Sequence, residues 1–210
     1  MLEELKEANN YIINQIEEKD ILLLEMEEYA KENRVPIVTK DVAEYLKFMA
    51  KMNKSKDILE IGTAIGYSGT ILGRVAKENS GKLTTIEINE EMYDLAKGNF
   101  KKAKLDNINL IFGDGKEEIG KLEDEYDFIF IDAAKGQYKS FFDKSYELLK
   151  KDGIIFIDNI LFRGFVYKEE TPKRYKTMIK RLREFISYLY KSDFDFVLQP
   201  FGDGIGLVRK

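Results

Sequence analysis

At 210 residues, with 44% hydrophobic and 34% charged side chains, the chain has material for one domain with a buried core and too little for a second. It contains neither cysteine nor histidine, which excludes disulfides, thiolate nucleophiles, serine–histidine triads and zinc on sulfur or imidazole, and leaves Mg²⁺, Mn²⁺ or Ca²⁺ on oxygen ligands as the metal chemistry open to it. The net charge of −4 argues against nucleic-acid binding over the whole surface but not against a local basic patch, and a charged N-terminus with no run of ~18 apolar residues implies a cytoplasmic protein.

Two helical patterns open the chain, at about 2–18 and 20–33, with Leu22, Leu23, Met26, Tyr29 and Ala30 recurring at helical spacing in the second. Pro36 interrupts the pattern. Thr39 is placed to cap a third helix whose buried side carries Ala43, Leu46, Phe48 and Met49. Residues 1–53 therefore read as N-terminal helices and 54–210 as a core, together one domain. In that core the apolar runs Ile58–Ile61, Leu83–Ile88, Ile108–Phe112, Phe128–Ile131 and Ile154–Ile157 alternate with amphipathic stretches long enough for crossover helices. Strands buried on both faces read as continuous apolar runs, so these five predict a parallel sheet covered by helices. Phe196–Phe201 and Ile205–Arg209 follow with only Gly202, Asp203 and Gly204 between them, too short for a crossover, which predicts an antiparallel hairpin.

The chemistry-bearing residues gather where these strands end. The first strand runs through Glu60 into Gly62-Thr63-Ala64-Ile65-Gly66 and a helix beginning near Tyr67. Gly62 allows close backbone approach to a ligand, and the helix start offers free N–H groups. With alanine at position 64 the motif is not the GxGxxG dinucleotide fingerprint. Glu87 ends the second strand, 25 residues after Gly62, where a carboxylate accepts from both ribose hydroxyls. Asp114, followed by Gly115, closes the third strand; it can meet an adenine amino group or cap the next helix. Asp132 ends the fourth strand, and Asp158-Asn159 the fifth, 26 residues later. One βαβ unit brings these to a common sheet edge, where two carboxylates and an amide oxygen suit Mg²⁺. Between Lys168 and Arg183 seven basic residues face two acids, a net +5 over 16 residues in an acidic chain. Such a patch suits phosphates, with Tyr167 or Tyr175 to stack on a base, although charge runs are usually solvated helix faces.

These motifs resemble the cation-dependent class I O-methyltransferases, the catechol and caffeoyl-CoA group. The likeness spans about 34–210 and is carried by Glu60–Ser68, Ile131–Tyr138 and Ile157–Asn159. Within the group, Val35–Val38, Asp132–Tyr138 and Asp158–Gly164 resemble the branch that methylates 5-hydroxyuridine at the tRNA wobble position. The resemblance implies a Rossmann-like α/β fold of seven strands in the order 3-2-1-4-5-7-6, the seventh antiparallel. It implies S-adenosylmethionine as cofactor, held by Val38, Glu60, Gly62, Ser68, Glu87, Asp114, Gly115 and Asp132. It implies Mg²⁺ or Mn²⁺ on Asp132, Asp158 and Asn159, with Lys135 in the general-base position or a metal-bound water in its stead. A homodimer acting on tRNA through Lys173, Arg174, Lys176 and Arg181 would follow; the alternative is a small catechol-like or other hydroxylated substrate. The chain has no tryptophan, with which the catechol enzymes wall their substrate, and this departure argues against a small catechol as the substrate.

Overall fold

Local chemistry sets where the elements begin and end. The computed structural model describes residues 2–210, with side chains from Glu7 onward. Three helices open the chain: α1 (Leu2–Gln15), α2 (Ile21–Asn33) and α3 (Lys40–Met52). Asp20 starts α2 by accepting the Leu23 amide at 3.1 Å, which satisfies one of the N–H groups a helix start leaves free. Thr39 occupies the cap position of α3 with extended backbone but makes no capping bond through its side chain. Ala43, Leu46 and Met49 are buried, whereas Phe48 is 62% exposed. This corrects the sequence reading: Phe48 falls on the side of α3 opposite Val42, Leu46 and Ala50, outside the stripe that meets the core.

The remaining elements alternate. They are β1 (Asp57–Ile61), α4 (Tyr67–Glu78), β2 (Lys82–Glu87), α5 (Glu90–Lys102), β3 (Ile108–Phe112) and the single turn α6 (Gly115–Glu118). Then come β4 (Tyr126–Ile131), α7 (Tyr138–Leu148), β5 (Leu149–Ile157), α8 (Lys176–Lys191), β6 (Asp195–Gln199) and β7 (Ile205–Arg209). All seven strands form one sheet in the order β3-β2-β1-β4-β5-β7-β6. β7 runs antiparallel to both neighbours, and every other pairing is parallel. β2 stops at Glu87, leaving Ile88 exposed. β6 stops at Gln199, two residues before the apolar run does, because Pro200 has no N–H to give the ladder.

Successive strand residues point to opposite faces, and both faces are covered. Ile58, Phe128, Phe130, Ile154 and Phe156 pack with α2, α3 and α4. Leu59, Ile61, Ile129, Ile131, Ile155 and Ile157 pack with α7 and α8. Phe156 joins the first layer together: its ring lies 5.6 Å from Phe130, 5.8 Å from Tyr45 and 6.3 Å from Phe128. Phe156→Ala should cost about 3–5 kcal/mol, read by urea denaturation at unchanged m-value. A loss below about 1 kcal/mol would mean that the neighbouring rings close the cavity and the layer is not tightly packed.

Candidate active site

The carboxyl ends of β1, β2, β4 and β5 come together because the ladder continues one residue past β1, β4 and β5. Gly62 donates to Ile86 at 3.1 Å, Asp132 to Ile61 at 3.0 Å and Asp158 to Ile131 at 3.1 Å. Gly62 is needed for a reason beyond ligand approach. Its φ is +102°, and a Cβ there would lie 2.1 Å from the Asp132 carbonyl oxygen. Only glycine lets β1 and β4 cross so closely.

A cavity of about 410 Å³ opens over this edge, lined among others by Gly62, Ala64, Glu87, Asp114, Asp132 and Lys135. Gly115 and Asn159 border it as well. Glu87 accepts the Ala64 amide on one oxygen at 2.7 Å and the Asn89 amide on the other at 2.8 Å. It thereby ties the β1 turn to the start of α5, and each oxygen keeps a lone pair for a ligand. Asp114 accepts the Lys116 amide at 2.8 Å, so it caps α6 while facing the cavity. A second cavity of about 250 Å³ lies beyond Asn159, which borders both; Val38, Thr39, Asp158, Asp203 and Asn9 line it. Val38 therefore faces the second cavity.

Glu60 and Ser68 line neither. Glu60 pairs with Thr85 in the sheet and lies on the α4 face. Its fully buried carboxylate accepts from Ser68 Oγ and Thr85 Oγ1, each at 2.6 Å. Burial pushes Glu60 up to about 7, against the pull of these two bonds. The group is a brace between β1, β2 and α4, set behind the Gly62 turn.

Asp132 and Asp158 are the electrostatic centre. Burial pushes Asp158 up to about 7, and the Asp132 charge adds to it. Burial raises Asp132 too, opposed by Lys135. The pair therefore holds negative charge that the protein leaves undercompensated. Asp158 Oδ1 accepts the Asn159 amide at 2.6 Å, and the buried Tyr138 hydroxyl donates to the Asp158 carbonyl at 2.7 Å. Asn159 itself is left-handed, with φ 58°. Among the described residues no three acidic side chains stand close enough to hold a cation by themselves. The Asn159 amide oxygen would complete the set, and two carboxylates with one amide fit a hard divalent cation. Sequence reasoning passes over Tyr138 and Asp203. Asp203 had a signal, an acid between two glycines on a hairpin ending beside Asp158.

The basic segment is partly committed to the fold. Arg183 donates to the carbonyls of Phe165, Val166 and Lys168. Arg181 donates to Gly136 at 3.3 Å, and Lys180 lies 3.8 Å from Glu184. Arg174 covers the ring of Tyr175, which in turn meets Phe162 edge-on at 5.1 Å. Lys173 and Lys176 are exposed.

The family described as O-methyltransferase matches residues 14–210. Caffeoyl-CoA O-methyltransferase 2 of Populus trichocarpa is 32% identical over 184 residues, covering 81% of this chain and 73% of that protein. Similar solved structures include two of high coverage. One is a Staphylococcus aureus protein provisionally named a caffeoyl-CoA O-methyltransferase: 32% identity, TM-score 0.88, covering 97% of this chain and 99% of that one. The other is a Podospora anserina methyltransferase bound to S-adenosylhomocysteine: 26% identity, TM-score 0.87, covering 99% and 95%.

The Glu60 brace generates a pH signature. Its folded value, about 7, exceeds the ordinary 4.5, so the folded state holds the proton more tightly. That contribution to stability is complete below about 4.5 and is lost as pH rises through about 7. Glu60→Gln removes the titration. The Tm of the wild type relative to this variant should fall across that window in calorimetry; a constant difference would show that Glu60 is not perturbed.

Proposed function

The chain belongs to the O-methyltransferase family, and on that premise we propose that it moves the methyl group of S-adenosylmethionine onto a hydroxyl of a small catechol-like molecule or its thioester conjugate. The observation that carries this is the meeting of two cavities at Asn159, with the acid pair at their junction. The larger has the size of a small-molecule site and would take the methyl donor. Glu87 has lone pairs free for the ribose hydroxyls, and Asp114 with Gly115 stands at the adenine end. Asp132, Asp158 and Asn159 would hold Mg²⁺ or Mn²⁺. Such a cation, when bound, lowers the pKa of a hydroxyl beside it.

The chain's own residues then orient the partners. The second cavity presents the acceptor, with Val38 as an apolar wall and Asp158 at its inner end. Lys135 borders the donor cavity, and its charge reaches Asp132, Asp158 and Asp203. We assign to its neutral amine form, which has a free lone pair, the proton that leaves the acceptor hydroxyl. Holding donor and acceptor in line is the main contribution to rate.

Two observations favour a small acceptor over tRNA. The similar curated proteins include caffeoyl-CoA enzymes. In the segment read as an RNA surface, Arg183 and Arg181 are bonded to backbone carbonyls and Tyr175 is packed against Phe162.

Mass spectrometry after incubation with S-adenosylmethionine and Mg²⁺ tests the proposal, with caffeoyl-CoA, free catechol and tRNA carrying 5-hydroxyuridine as parallel acceptors. One added methyl on either small molecule and none on tRNA is expected. Methylation of tRNA alone would overturn the small-acceptor assignment. Glu87→Ala should weaken S-adenosylhomocysteine binding about tenfold or more in calorimetry, the loss of a hydrogen bond to a charged group. Unchanged affinity would remove Glu87 from the donor site.

A further inference from the structure

Behind the junction of the two cavities, the chain leaves β5 in an unfavourable conformation. Asn159, Phe162, Arg163 and Gly164 have φ of 58°, 42°, 54° and 72°. For the three residues with side chains, the left-handed region persists only where surrounding structure over-determines it. The β6–β7 turn supplies that constraint. The Gly204 carbonyl accepts the Ile160 amide at 3.0 Å, and the Asp203 carbonyl accepts the Leu161 amide at 2.9 Å. The Asp203 carboxylate accepts the Arg163 amide. Turn and loop are in tight contact: a Cβ on Gly204 would lie 2.3 Å from the Leu161 side chain. Any residue could make the two main-chain bonds. The third requires the side chain.

We infer that Asp203 is a positioning residue: by holding the Arg163 amide it locks the loop from Asn159 to Gly164 and so fixes where the Asn159 amide oxygen stands. It does not act as a third acidic ligand, since among the described residues no three acids are close enough to hold a cation. It lines the acceptor cavity with Asp158 and Asn159, so the loop it fixes is also a wall of that cavity. The carboxylate is close enough to Asp158 for their charges to repel, and the charges of Lys135 and Arg163 act on it in the opposite sense. An amide oxygen at this position could accept the same backbone N–H without that charge. The bond to Arg163, and not the charge, is therefore the function assigned to Asp203.

The consequence for the cation rests on the assignment of Asp132, Asp158 and Asn159 above; the consequence for the loop does not, and the test separates them. Two variants, Asp203→Ala and Asp203→Asn, are compared with wild type by amide hydrogen exchange of residues 160–165 and by Mn²⁺ titration followed by electron paramagnetic resonance. In Asp203→Ala the loop amides should exchange about tenfold faster, as expected for one lost bond to a charged group. Its Mn²⁺ Kd should rise about tenfold or more, the usual cost of losing a group that orients a ligand. Protection in β1, β4 and β5 should be unchanged, which reports that the fold is intact, and S-adenosylhomocysteine affinity should stay within about twofold, since Asn159 only borders the donor cavity and Glu87, Asp114 and Gly115, assigned to the donor, lie outside the loop. Asp203→Asn, which keeps an acceptor for Arg163, should restore both loop protection and Mn²⁺ affinity. Wild-type exchange in Asp203→Ala would overturn the inference. So would an Asp203→Asn variant as defective as Asp203→Ala, because charge and not the bond would then be at work. Faster loop exchange in Asp203→Ala combined with no Mn²⁺ binding by wild type would sustain the role of Asp203 in the loop and overturn the cation assignment.

Discussion

β4 pairs with β5 so that Ile131 lies opposite Ile157, and the next residue of each strand is an aspartate. This register forces two carboxylates to leave the sheet side by side in a desolvated edge. Burial and, for Asp158, the neighbouring charge both oppose ionisation. Such a pair is unfavourable on its own, and the fold tolerates it because the strands behind it are apolar on both faces. Phe128 to Ile131 and Ile154 to Ile157 are almost fully enclosed between two layers of helices. The stability that holds the acids together is thus gained several residues away from them.

Around that pair, single groups serve the scaffold and the site at once. Glu87 fastens two amides while facing the larger cavity. Asp114 caps a one-turn helix while bordering the same space. Tyr138 holds the carbonyl of Asp158 from the α7 side. Behind them, Glu60, Ser68 and Thr85 form a buried brace that touches no cavity but fixes the turn that does. A charge placed where it costs stability is in each case accompanied by backbone or hydroxyl donors that make its position unique, which is how a site is preorganised before any ligand arrives.

The sheet was legible because buried parallel strands write continuous apolar runs, and the short connection after β6 left only a hairpin. The acids at strand ends were legible for the same reason: once a strand end is located, the residue following it is at the ligand-binding edge. What was not legible depends on contacts without a local pattern. Phe48 carries the right chemistry for a core position but the wrong helical phase by one residue. Glu60 and Ser68 sit in a motif associated with the cofactor, yet the two-residue alternation of β1 turns Glu60 toward α4. Asp203 acts through an amide forty residues earlier in the chain, and Arg183 through three carbonyls of a loop with no periodicity. The basic run read from composition as one surface contains, in space, exposed arginines bonded to backbone carbonyls, Arg181 and Arg183, beside the exposed lysines Lys173 and Lys176.

The central claim is that Asp132, Asp158 and Asn159 together hold a divalent cation between a donor and an acceptor cavity. Anomalous diffraction from crystals grown with Mn²⁺ and S-adenosylhomocysteine tests it most directly. One strong anomalous peak is expected in contact with the side-chain oxygens of these three residues, with the adenosyl group beside Glu87. A peak bound elsewhere, or no peak at these oxygens in crystals that do contain the donor product, would contradict it.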